Sequence, residues 1–102
     1  RNNTELMTMG NKGKVRASHI LVQKHSDALR IISRLNEGES FDKLAKEFSE
    51  CPSRKKGGDL GWFARGQMVK EFERAVYDMN VGQTTHDPVK TKFGYHVIRR
   101  TG

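Results

Sequence analysis

The chain has 102 residues, a formal net charge of +7 and one cysteine, and 34% of its side chains are hydrophobic. That length excludes a second domain, a lone cysteine excludes an internal disulfide, and no apolar stretch reaches the length of a membrane-spanning helix or resembles a signal peptide near the N-terminus. The positive charge admits nucleic acid, phosphorylated protein and acidic surfaces alike, but its lysines and arginines are scattered along the chain and select none of them. From these features we expect a monomeric intracellular domain, cytoplasmic or nuclear, with no membrane contact. Arg1 in the first position leads us to expect further domains before it.

Residues 1–14 contain only Leu6, Met7 and Met9 as apolar side chains and are expected to be a flexible basic tail or linker, with the folded domain over 15–102. The first strand is predicted over residues 15–22, where alternation puts Val15, Ala17, His19 and Leu21 on one face and Arg16, Ser18, Ile20 and Val22 on the other. A helix capped by Ser26 or Asp27 follows, with Ala28, Ile31, Ile32 and Leu35 as its apolar stripe and Gly38 as its stop. A second helix starts near Ser40 and carries Phe41, Leu44, Ala45 and Phe48 on one side. Pro52 ends it, and a basic loop from Ser53 to Gly58 leads to a short strand at residues 60–63. Met68, Phe72, Ala75, Val76 and Met79 mark a further helix closed by Gly82, and residues 89–91 and 95–100 read as a terminal hairpin. The order implies an α+β domain on a small, mostly antiparallel sheet.

The stretch from Phe48 to Phe72 organises the rest. Gly57, Gly58, Gly61 and Gly66 fall within ten residues, which marks backbone that bends tightly or approaches something closely. Leu60, Met68 and Phe72 read as a small apolar pocket, whereas Trp62 and Phe63 fit a plug into the core equally well. Cys51, His19 and His96 are candidates for one site. No motif of the cysteine hydrolases surrounds Cys51, the histidines show no ligand spacing, and GGDLG lacks the lysine and hydroxyl of a phosphate loop. No metal and no cofactor are therefore expected.

The segments ASHILV at 17–22, FSECPS at 48–53, GGDLGWFARGQMVKEFERA at 57–75 and VKTKFGYHVIRR at 89–100 together resemble the parvulin family of peptidyl-prolyl cis/trans isomerases. The resemblance covers nearly all of residues 15–102, in order. It implies a sheet of four antiparallel strands wrapped by about four helices, and proline-containing protein segments as substrates. It places catalytic roles on His19, Cys51 and His96, joined in one hydrogen-bonded network, and the proline pocket on Leu60, Met68 and Phe72. Phe63 and Gln67, in the same segment, are assigned to substrate binding. Cys51 is expected to act electrostatically, because some parvulins carry aspartate at that place.

The phosphate-directed branch of the family has a long basic loop after its first strand. Here that loop is short, residues 23–26, and holds only Lys24 as a permanent cation, so the chain looks closer to the small eukaryotic parvulins that ignore phosphorylation. Arg54, Lys55 and Lys56 are candidates to contact an acidic residue before proline, with a solvated basic loop as the competing reading. The tail has no aromatic side chain to stack on bases, which argues against a nucleic-acid partner. Two functions of different class follow: an isomerase, or a non-catalytic module that holds extended proline-bearing segments in the same groove.

Overall fold

A computed structural model describes residues 13–102, so most of the expected tail lies outside the described residues. Four strands form one antiparallel sheet in the order β2-β1-β4-β3. Strand β1 (Val15–Val22) is dense in β-branched residues and lies between β2 (Asp59–Phe63) and β4 (Gly94–Arg100), with β3 (Val89–Thr91) outside β4. Among the described residues three α-helices, α1 (His25–Asn36), α2 (Phe41–Phe48) and α3 (Lys70–Asp78), and one 3-10 helix (Pro52–Lys56) complete the α+β fold.

The two faces of β1 seed two cores, as its alternation requires. Ile20 and Val22, with Val97 of β4, pack under Ala28, Ile31, Ile32, Phe41, Leu44 and Ala45 of α1 and α2. On the other face Val15 and Ala17, with Phe63 and Ile98, pack against Phe72, Val76 and Met79 at α3. His19 and His96 share this second face.

Several boundaries differ from the sequence expectation. Helix α1 begins at His25 after an extended Lys24, with no side-chain cap, so Ser26 and Asp27 fall inside its first turn. Asp27 there still favours the helix by placing negative charge at its N-terminal end. In α2 the Ser40 hydroxyl accepts the Lys43 N–H at 3.3 Å, a side-chain N-cap. The expected basic loop after Pro52 is a 3-10 helix, because the fixed φ of proline suits a first helical turn; Gly57, at φ 66°, ends it. Met68 precedes α3, whose N-cap is Val69 in extended geometry, so the buried stripe of that helix starts at Phe72.

Candidate active site

Strand register brings the histidines together. Leu21 pairs with His96 and His19 with Ile98, which makes His19 and His96 diagonal neighbours on one face. On the other side of β4, Val89 pairs with His96, so Thr91 is its diagonal neighbour there. The result is a hydrogen-bonded chain across three strands. Thr91 Oγ1 lies 2.6 Å from His96 Nε2, and His96 Nδ1 lies 2.8 Å from His19 Nδ1. The Phe93 N–H donates to Thr91 Oγ1 at 3.1 Å. Which atom donates at the Thr91–His96 and His96–His19 contacts is set by the tautomers of the two rings. The outer ring nitrogen, His19 Nε2, has no hydrogen-bond partner among the described residues.

Both imidazoles are buried, at 5% and 3% exposure. Burial, and for His19 also the proximity of His96, pushes each pKa down to about 4, so the pair is neutral at pH 7. Their rings stack with centroids 5.0 Å apart, and Phe72 meets both edge-on at 5.4 and 5.2 Å. Phe72 is thus the floor that joins the histidines to the apolar groove.

The histidine strand is held from the open side by backbone. Gly58 accepts the His19 N–H at 2.9 Å, and a Cβ on Gly58 would stand 2.4 Å from the His19 carbonyl oxygen. Only glycine fits that approach at φ 89°. Further along β1, the Leu21 N–H donates to Ser49 Oγ at 3.0 Å and the Glu50 N–H donates to the Leu21 carbonyl at 2.8 Å. These bonds lay residues 49–51 against β1 and carry Cys51 to the groove.

The groove has a volume of about 340 Å³, with Leu60, Met68 and Phe72 as its apolar wall and His19, His96 and Cys51 bordering it. The other sequence candidates lie elsewhere. Phe63, assigned to substrate binding, is 2% exposed and packs behind the groove with its ring 6.1 Å from that of Phe72. Gln67 spends its carbonyl on the Ala64 N–H at 2.7 Å, stabilising the turn before α3, and does not line the groove. Arg54, Lys55 and Lys56 are exposed on the 3-10 helix and likewise stay off its wall. Cys51 makes no side-chain hydrogen bond to either histidine among the described residues, so the expected three-member network is a histidine pair extended by Thr91. Thr91 was not singled out in the sequence. The signal that marks it is hairpin register, which sets it diagonal to His96. Glu50 was also passed over, and it is the one acidic residue lining the groove among the described residues.

Among the described residues Cys51 has no hydrogen bond to either imidazole, so the groove shows no thiol paired with a base. It can seat a ring of proline size, strip water from the adjoining amide and set it against an apolar wall and a neutral histidine pair, which is the chemistry of a rotamase. The chain belongs to the PPIC-type peptidyl-prolyl isomerase (rotamase) family, whose family model matches residues 12–102, and the activity of this domain is peptidyl-prolyl cis/trans isomerisation. The chain is 55% identical over 91 residues to the foldase protein PrsA of Geobacillus kaustophilus, covering 88% of this chain and 32% of that protein. The crystal structure of PrsA from Bacillus subtilis superposes with a TM-score of 0.89 at 47% identity, covering 96% of this chain and 38% of that one. The solution structure of the parvulin of Nitrosopumilus maritimus is similar at 50% identity and a TM-score of 0.78, covering 88% of this chain and 97% of that one. The chain spans about a third of the length of the curated foldases it matches. These three relatives are bacterial and archaeal.

Proposed function

We propose that the domain isomerises X-Pro bonds in extended protein segments by a non-covalent mechanism and without a phosphate before proline, as the isomerase module of a longer foldase-like protein. The observation that carries this reading is an apolar groove over a neutral histidine pair, with no lysine or arginine on its wall among the described residues. The connection from β1 to α1 is two residues long, Gln23 and Lys24, too short to present a cluster of cations to a phosphate. In that feature the chain sides with the parvulins that ignore phosphorylation.

Rotation about a trans peptide bond meets a barrier of about 18–20 kcal/mol, and the twisted amide has lost its resonance. Its oxygen carries less negative charge and its nitrogen is pyramidal and more basic. A groove that desolvates the amide costs the planar, more dipolar form more than the twisted one, and so lowers the barrier. Leu60, Met68 and Phe72 hold the proline ring. The neutral His96–His19 pair keeps the floor of the site free of net charge while fixing its dipoles, which need no reorganisation as the bond turns. Cys51 borders the groove with no side-chain hydrogen bond among the described residues and serves as a polarisable wall, not a nucleophile.

Exchange NMR on peptides with leucine, arginine, glutamate or phosphothreonine before proline tests the reading. Accelerated exchange is expected for the unphosphorylated peptides with no added advantage for phosphothreonine. Binding shifts without acceleration, shared by a peptide lacking proline, would instead identify a holding module and sink the catalytic roles of His19, Cys51 and His96.

A further inference from the structure

A second cavity, of about 220 Å³, lies on the face of β1 opposite the histidines. Its floor is Val22, Ile31 and Phe48, and Arg30 and Arg34 stand at its rim. Phe48 belongs to the apolar stripe of α2, yet it is 38% exposed instead of entering the core. The Arg34 guanidinium sits over the Phe48 ring, 5.2 Å from its centroid, and is locked there by a forked pair to Glu39 at 2.7 and 2.8 Å, which leaves the rest of the exposed ring to the cavity. Arg30 has only a loose pair with Asp27 at 3.6 Å.

One residue joins this cavity to the groove. Glu50 lines both. Strand β2 pairs with β1 only as far as Ser18, and beyond that point Ser49 and Glu50 take its place beside Leu21. Leu21 faces the groove and Val22, the next residue, faces the second cavity, as strand alternation dictates. The partition between the two is therefore the edge of a single strand and the exposed Glu50 side chain.

A substrate of an X-Pro isomerase is a polypeptide that must leave the groove at both ends, and the residue before proline is itself held extended. We propose that the second cavity is an accessory subsite for that same polypeptide. The chain leaves the groove over Glu50 and seats a bulky apolar side chain, aromatic or aliphatic, on Phe48. An apolar floor ringed by charged side chains suits such an occupant, burying the side chain while the backbone stays at the wet rim. This inference rests on the isomerase reading above, and it makes the domain selective for unfolded segments that carry an apolar residue at a set distance from proline.

The test is a series of peptides with one X-Pro core in a glycine-serine background, bearing a single leucine or phenylalanine moved stepwise away from proline on either side. Exchange NMR is expected to show kcat/KM raised about tenfold at one spacing, through KM, a gain of the size that partial burial of one such side chain supplies. At that spacing the amides of Val22, Ile31 and Phe48 shift on titration, and with the unsubstituted peptide they do not. In Phe48→Ala and Phe48→Gln the ratio between the best-spaced and unsubstituted peptides falls toward one. If either variant fails to fold, the spacing series and the shift map on the wild-type domain decide alone. Equal acceleration of every peptide with no shift at Val22, Ile31 or Phe48 overturns the subsite and leaves the isomerase standing. No acceleration of any peptide overturns both.

Discussion

Met68 and Phe72 both border the groove, but their burial separates what each truncation does. Met68 is half-buried and precedes α3, whereas Phe72 is 3% exposed and touches both imidazoles and Phe63. Met68→Ala is expected to lower kcat/KM about tenfold with a small stability change, because a partly exposed thioether leaves little cavity behind. Phe72→Ala is expected to lose about 3–5 kcal/mol of stability as well as turnover. Urea unfolding beside exchange NMR distinguishes the two. At Cys51, a polarisable wall and a nucleophile diverge under Cys51→Asp: the non-covalent reading expects a folded variant with turnover within about tenfold of wild type. Loss of turnover in a folded Cys51→Asp variant would count against that reading.

At the scale of elements, the site depends on two strand-edge contacts. Gly58→Ala puts a methyl group 2.4 Å from the His19 carbonyl oxygen at a φ that disfavours side chains, so β2 must retreat from β1. The expected cost is at least about 2 kcal/mol, with the His19 amide losing hydrogen-exchange protection as its bond to Gly58 breaks. Thr91→Val keeps the shape of β3 but removes the hydroxyl that serves His96 Nε2 and the Phe93 N–H. Leaving those groups without their partner is expected to cost about 1–3 kcal/mol in urea unfolding. A neutral outcome would show that the hydroxyl does not hold the histidine chain in place.

For the whole molecule the histidine pair links stability to pH. Each imidazole takes up its proton near pH 4 when folded and near 6.5 when unfolded, so the unfolded state binds more protons in between. Their contribution is therefore complete above about pH 6.5 and is lost progressively as pH falls toward 4. Glu39 beside Arg34 and Asp59 beside Arg16 are also held below the usual carboxylate range, and their losses begin only at lower pH. Urea midpoints should thus be level from pH 8 to 6.5 and already falling at pH 5. A midpoint unchanged down to pH 5 would mean that the pair accepts a proton without penalty.

The division between sequence and structure follows the range of the forces involved. Local pattern determined the α+β order, the two faces of β1 and the start of the second helix near Ser40, because periodicity and backbone restrictions act within a few residues; that helix ends at Phe48, ahead of Pro52, which opens the 3-10 helix. The glycine-rich stretch pointed to a pocket at Leu60, Met68 and Phe72, and it was the family resemblance, not the helical stripe, that gave Met68 and Phe72 their place in it and tied it to His19, Cys51 and His96. Tertiary structure decided what those residues do to one another. Register made the histidines direct partners and brought in Thr91, while α3 packing took Phe63 into the core. The turn before α3 consumed Gln67, and the 3-10 helix turned Arg54, Lys55 and Lys56 away from the groove. Glu50 owes its place on two cavities to hydrogen bonds that tie Ser49 and Glu50 to Leu21, far from both in the chain. No local pattern encodes such pairings, since they form only when the sheet closes.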